Sequence, residues 1–325
     1  MNRRILLGAS ALAASMAFAG FAQAQELPAL EQKDRYTVGF AQSESNNPWR
    51  IAETASFEAT AEECGWDLIM TDAGGSAAKQ VADVDSIIAQ GVDVLFLTPR
   101  EEGPLIPAVM RAQAAGVPTF LVDRSVDESV AQAGTHYVAF LGSDFIDQGR
   151  RAAEYMMENF EGEEGKIIQL EGSTGSSPAN DRKQGFDEAV AGDARFTMLE
   201  SRSGDFSRDE GRRVMETLLQ AHPDVNIVYA HNDEMAIGAI QALEAAGRVP
   251  GEDVFIYSID GTRDALQAIT DGKLEVTVES SPFFGPLACE TMKRYAAGET
   301  IEPWVKVEDR IFTPENAAEH IDEAY

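Results

Sequence analysis

Residues 36–50 read YTVGFAQSESNNPWR. Tyr36–Gln42 is a short β-branched and aromatic run of the kind that forms a strand. A polar stretch, Ser43 to Arg50, follows at once, and a helix ending at Cys64 comes next. This is one strand–loop–helix unit, with its polar residues gathered just past the strand.

The unit recurs along the chain. Further strand-like runs are Asp67–Asp72, Val92–Thr98, Val117–Asp123 and Tyr137–Gly142. A second set is Lys166–Glu171, Thr197–Ser203, Asn226–His231, Val254–Asp260 and Leu274–Glu279. Amphipathic segments separate them. Ala77 to Ala89, with Val81, Val84, Ile87 and Ile88 on one face, predicts a helix. Gly91, Gly116 and Gly247 stand where helices should stop. Strand starts are spaced 31, 25, 25 and 20 residues in the first set and 31, 29, 28 and 20 in the second. The shared rhythm predicts an α/β fold of two lobes of like topology, each with a parallel sheet. After Glu279 the sequence leaves one more helix, Phe283–Ala297, and an extended tail.

At 325 residues the chain is long enough for two cores. Asp and Glu number 55 against 26 Lys and Arg, a net charge of −29. Such a surface repels phosphate backbones and anionic lipid heads, which argues against nucleic acid as a partner. Arg3 and Arg4, the apolar run Ile5 to Phe21 and the small-x-small Ala22-Gln23-Ala24 read as a secretory signal peptide, residues 1–24. The apolar run is short for a membrane span, and no basic stop-transfer flank follows it. Gln25 to Arg35 read as a loose leader. Export permits a disulfide between Cys64 and Cys289, the only two cysteines, which fall in one lobe; the sequence leaves open whether they bond. Four scattered His give no zinc spacing, and no metal or cofactor is expected.

In open α/β sheets ligands sit outside the carboxyl ends of the strands. There the sequence places Asn47, Trp49 and Arg50 after the first strand and Asp123-Arg124 at the fourth. Arg182 follows the sixth, Phe206 the seventh, Asn232 the eighth, and Asp260 ends the ninth. Asp and Asn accept from hydroxyls, Arg donates a planar fork to two vicinal oxygens, and Trp and Phe offer flat faces to ring C–H bonds. The set suits a neutral polyol. Taken singly, each has a plainer reading: caps or turns for Asn232 and Asp260, a surface ion pair for Asp123-Arg124, core packing for Trp49 and Phe206, a solvated helix start for Arg182. Their convergence at strand ends favours a site. Catalytic signatures are missing. Gly162 to Lys166 lacks the Gly spacing and the Ser or Thr of a phosphate-binding loop, and there is no G-x-S-x-G elbow.

Along the chain stand Trp49-Arg50, Ala89-Gln90-Gly91-Val92-Asp93, Asp123-Arg124-Ser125, Asp181-Arg182-Lys183 with Gly185-Phe186, Ser203-Gly204-Asp205-Phe206, Tyr229-Ala230-His231-Asn232-Asp233 and Ser258-Ile259-Asp260-Gly261. Through these segments in this order the sequence, from about Tyr36 to Ile321, resembles the periplasmic sugar-binding proteins of ABC importers, in the ribose/galactose-type cluster. Within it the chain looks most like the galactofuranose-binding proteins. Asn46-Asn47-Pro48 departs from the Glu-Ser-Gly of the galactofuranose pattern toward the ribose pattern. The resemblance implies a type I periplasmic binding protein fold: two Rossmann-like lobes joined by crossovers near Gly142–Asp144, Glu279–Pro282 and Val305–Asp309. Residues 25–142 with 281–307 would form one lobe, and 143–280 with 308–325 the other. It implies that the nine residues above bind a monosaccharide, and that the protein is a monomer delivering sugar to an inner-membrane permease. A periplasmic sensor feeding a chemoreceptor or kinase is the alternative. A LacI-type repressor is disfavoured by the signal peptide and the missing helix-turn-helix, and an exported sugar enzyme by the missing catalytic groups.

Overall fold

The computed structural model describes residues 27–325; the signal peptide expected at 1–24 lies outside the described residues. The first lobe is built on β1 (Tyr36–Gln42), α1 (Pro48–Cys64), β2 (Trp66–Asp72), α2 (Ala77–Ala89), β3 (Val94–Leu97), α3 (Ile106–Ala114), β4 (Thr119–Val122) and β5 (Ala139–Gly142). The second is built on α4 (Phe145–Asn159), β6 (Gly165–Glu171), α5 (Ser177–Val190), β7 (Phe196–Ser203), α6 (Arg208–Ala221), β8 (Ile227–Ala230), α7 (Asp233–Ala245), β9 (Phe255–Asp260), α8 (Arg263–Thr270) and β10 (Val276–Glu279). The chain then returns to the first lobe with α9 (Gly285–Ala296) and β11 (Trp304–Lys306). It ends on the second with β12 (Ile311–Phe312) and α10 (Ala317–His320).

The two sheets run in the orders β11-β5-β4-β3-β1-β2 and β12-β10-β9-β8-β6-β7. Every pairing is parallel except β10 with β12. The two orders are the same path drawn twice. In each, the strand order reverses beside the first strand of the lobe, which opens a crevice at the carboxyl ends. All ten strands read from the sequence are present.

Two expectations need correction. The tail after α9 is not merely extended: β11 pairs with β5, and β12 with β10. Strands of three and two residues carry too little alternation to read, and form because each finds an unpaired sheet edge. The leader is not loose in its described part either. Leu30 is buried in the first core, Tyr295 Oη donates to the Pro28 carbonyl at 2.7 Å, and Lys33 Nζ meets Asp93 at 2.5 Å.

Each core is centred on stacked aromatics. In the first lobe Phe40 lies on Phe57 at 4.1 Å, and Phe96 on Phe120 at 5.3 Å; in the second Phe186 lies on Tyr229 at 3.9 Å. Helices α4 and α5 approach so closely that a Cβ at Gly149 would collide with the Arg182 carbonyl, and one at Gly185 with the Ile146 carbonyl. That contact seats Arg182 against α4.

Cys64, the last residue of α1, is bonded to Cys289 on α9, with Cα atoms 6.0 Å apart. The bond ties the segment that re-enters the first lobe to that lobe's first helix, across 225 residues of sequence. Closing so long a loop restricts the unfolded chain, with a stabilisation of about 2–5 kcal/mol. Reduction, or a Cys64→Ala/Cys289→Ala pair, is expected to lower the melting temperature by several degrees with the fold retained. Differential scanning calorimetry with and without reductant checks this.

Candidate functional site

All nine residues singled out in the sequence line one small cavity, of about 30 Å³, between the lobes, together with Pro178. Asn47, Trp49, Arg50, Asp123 and Arg124 come from the first lobe; Arg182, Phe206, Asn232 and Asp260 come from the second. The lobes are closed over it, for each of the nine is buried.

The first wall is set by the turn into α1. Asn47 Oδ1 accepts from the Arg50 N–H at 2.9 Å, which caps the helix and fixes the direction of Trp49 and Arg50. The Trp49 indole N–H donates to the Ser280 carbonyl at 2.7 Å, so this wall is tied to the segment that crosses between lobes. Arg50 lies 4.5 Å over the Trp49 ring and donates to Glu53 at 2.8 Å and Asp123 at 2.6 Å. Arg124 donates to Glu44 at 3.2 Å, while its Nε is buried without a hydrogen-bond partner.

The opposite wall is built on the second lobe. Arg182 donates to Gln148 Oε1 at 2.9 Å and to the His231 carbonyl at 2.6 Å, and stands 3.5 Å from Asp260. Gln148 in turn donates to Asp309 at 2.8 Å and to the Glu279 carbonyl at 3.2 Å, which links Arg182 to two of the connecting segments. Asn232 caps α7 through Oδ1 and donates from Nδ2 to the Phe206 carbonyl at 3.2 Å. Thus Asn47 and Asn232, the plainer reading notwithstanding, are both caps and cavity walls.

Burial shifts the charged groups. It pushes the Asp260 carboxyl well above the usual carboxylate range, against the pull of Arg182. Burial, with Arg50 adding to it, brings the Arg124 guanidinium down to about 10, still charged at neutral pH. The backbone is strained here as well. Asp123 (φ 59°), Asp205 (φ 54°), Phe206 (φ 56°) and Asp260 (φ 138°) are the non-glycine residues with positive φ among the described residues. Three of them line the cavity and the fourth adjoins it. Such conformations cost on the order of 1–3 kcal/mol each and persist where the surroundings hold them.

Glu44, Glu53, Gln148, Pro178 and Arg100 also belong to the site or its supports, and the sequence nominates none of them as a ligand residue. Glu44 stands in the loop quoted at the outset. Arg100 follows β3, a strand end that the sequence reading does not draw on for site residues. Arranged this way, three guanidiniums line a small space with Asp123 and Asp260, and Glu53 and Glu44 stand behind them on Arg50 and Arg124, so that the charges of the cluster are nearly balanced. A charged ligand would disturb pairs already made; a neutral molecule rich in hydroxyls can be inserted among them.

The periplasmic binding protein domain family matches residues 38–300. The chain belongs to this family. Among its relatives, the galactofuranose-binding protein of Escherichia coli K12 is 34% identical over 290 residues, covering 88% of this chain and 90% of the relative. The ribose import binding protein of Bacillus subtilis is 35% identical over 271 residues, 83% and 85% of the two chains. A Mycobacterium smegmatis protein solved in complex with β-D-fucofuranose is 38% identical, with a TM-score of 0.84 over 88% of this chain and 94% of that one. The type I periplasmic binding protein fold read from the sequence is the fold found.

Beside Arg182, the Asp181 carboxyl is pushed up to about 7, first by burial and then by Glu102, Glu128 and Asp144. An unfolded Asp titrates near 3.8. Between those values the folded protein holds a proton that the unfolded chain releases, so this group's effect is to lower stability as pH rises through the window. Asp181→Asn is therefore expected to be more stable than wild type above pH 7, with the advantage fading toward pH 4. Melting temperatures of both proteins across that range check it; an advantage that grew toward acid pH would contradict it.

Proposed function

We propose that this chain is the periplasmic solute-binding component of a sugar ABC importer. It takes one neutral monosaccharide between its lobes and delivers it to the inner-membrane permease. The observation that carries the reading is the closed cavity lined by Asn47, Trp49, Arg50, Asp123, Arg124, Arg182, Phe206, Asn232 and Asp260, whose guanidiniums are already paired with carboxylates of the lining and with Glu44 and Glu53 behind it. Galactofuranose, or a related pentose or hexose, is the ligand proposed. The names of the relatives support this, since those reported above bind galactofuranose, ribose and fucofuranose. Like them the chain is a binding protein and not an enzyme. We place the protein in the periplasm, exported by residues 1–24, and acting as a monomer without nucleic acid.

The hinge in this reading lies where the chain passes between sheets. It passes after β5, whose successor α4 packs on β9 and β10; after β10, whose successor α9 packs on α1; and between β11 and β12. We accordingly divide the lobes at 142/143, 280/281 and 307/308.

Calorimetry against pentoses and hexoses, including D-ribose, D-galactose and methyl β-D-galactofuranoside, tests the function. Micromolar or tighter binding of one sugar is expected, about −8 kcal/mol. A flat titration across the panel would overturn the reading. Arg124→Ala removes a buried, charged donor, and is expected to weaken that sugar by about tenfold or more. The sugar-free variant should still melt cooperatively.

A further inference from the structure

The turn Gly204–Asp205–Phe206 carries the ring that closes one side of the cavity, and it is held in an unfavourable shape. Two successive non-glycine residues have left-handed φ values, 54° and 56°. From its own lobe the turn is held at Gly204, whose N–H donates to the Glu171 carbonyl at 2.8 Å and whose carbonyl accepts from the Ser207 N–H at 3.0 Å, by the Arg182 guanidinium 5.9 Å over the Phe206 ring, and by three further contacts. Ser203 Oγ accepts the Asp205 N–H at 3.2 Å, and Asn232 Nδ2 donates to the Phe206 carbonyl at 3.2 Å. The Phe206 ring lies over Gly172, where any Cβ would collide with it.

A further hold comes from the other lobe. Arg100, just past β3, donates from Nη2 to Asp205 Oδ1 at 2.8 Å. Its own position is fixed inside the first lobe. The Arg100 N–H donates to Gln80 Oε1 at 2.8 Å, its Nε donates to the Gly75 carbonyl at 3.2 Å, and Glu44 lies 3.6 Å from Nε. Glu44 also accepts from Arg124, whose guanidinium stands 5.6 Å over the Phe206 ring. The first lobe thus touches the turn twice, once at the Asp205 carboxylate and once at the Phe206 face. Asp205 is half exposed and Arg100 nearly buried, which puts this pair at the rim of the cleft and outside the cavity lining.

We propose that Arg100 and Asp205 form an inter-lobe latch that positions Phe206. When the lobes part, Asp205 loses its partner and nothing from the first lobe holds the strained turn. When they close, Arg100 captures Asp205 and presents the Phe206 ring to the bound molecule. Arg100 is then a positioning residue. It sets how long ligand stays, because the latch exists only in the closed state, while encounter takes place in the open one.

This inference rests on the sugar-binding reading, and its test separates the two. Wild type, Arg100→Gln, Asp205→Asn and the double variant are compared for binding D-ribose and methyl β-D-galactofuranoside, by stopped-flow tryptophan fluorescence and calorimetry. Asn at 205 keeps tolerance of the left-handed backbone and removes the charge. Each single variant is expected to raise the dissociation rate roughly fivefold with the association rate little changed. The double variant should be no worse than the weaker single, because the two residues act through one contact. In the sugar-free protein the same substitutions should act additively on melting temperature. Dissociation rates that multiplied independently, or coupling seen in sugar-free melting and absent from binding, would overturn the latch and leave sugar binding standing. A wild type that bound neither probe nor any sugar of the wider panel would overturn both.

Discussion

Three guanidinium groups, Arg50, Arg124 and Arg182, lie out of water around one small cavity, and the rest of the molecule is organised to make that tolerable. An isolated buried charge is strongly unfavourable, so each needs a carboxylate or carbonyl held at hydrogen-bond distance. Asp123 and Glu53 serve Arg50, Glu44 serves Arg124, and the His231 carbonyl, Gln148 and Asp260 serve Arg182. These partners come from strand ends and helix starts, the parts of an α/β sheet that can be varied without disturbing its core. Arg124 Nε makes no hydrogen bond, with Asp123 3.8 Å away, so the set is incomplete in a way that a hydroxyl oxygen can complete.

In the proposed reading the same network couples binding to lobe motion. The walls come from different lobes, and each is tied to a connecting segment: Trp49 to Ser280, and Arg182 through Gln148 to Glu279 and Asp309. A molecule touching both walls makes its full set of contacts only when the lobes are together. Its binding energy is therefore what shifts the equilibrium toward closure. The positive-φ residues Asp123, Phe206 and Asp260 lie on this boundary, where close packing on both sides can hold strain that an open cleft would leave unsupported.

Much of this was legible in the sequence, for physical reasons that also mark where legibility stopped. The strand-like runs are long enough for β-branched composition to stand out, and the polar and aromatic residues at their carboxyl ends already include all nine from Asn47 to Asp260. Single-residue arguments were weaker. Arg182 in a DRK run looks solvated until Gly149 and Gly185 let α4 and α5 close over it. The tail strands β11 and β12 are set by the edges they pair with, and Leu30 by a core it meets from outside any regular element. Arg100 escaped because its role depends on Asp205, 105 positions away in the other lobe. The bond between Cys64 and Cys289 was undecidable for the same reason: proximity across 225 residues is a property of the path, not of either neighbourhood.

The central claim is that a neutral sugar is held by both lobes at once. Small-angle X-ray scattering of the mature protein, with and without a saturating sugar from the panel, tests it most directly. The account predicts that the sugar-free protein has a larger radius of gyration than the closed structure, and that sugar brings the radius down to the value calculated from it. A sugar that bound with full occupancy and left the radius unchanged, at a value larger than that of the closed structure, would contradict the account and place the site within a single lobe.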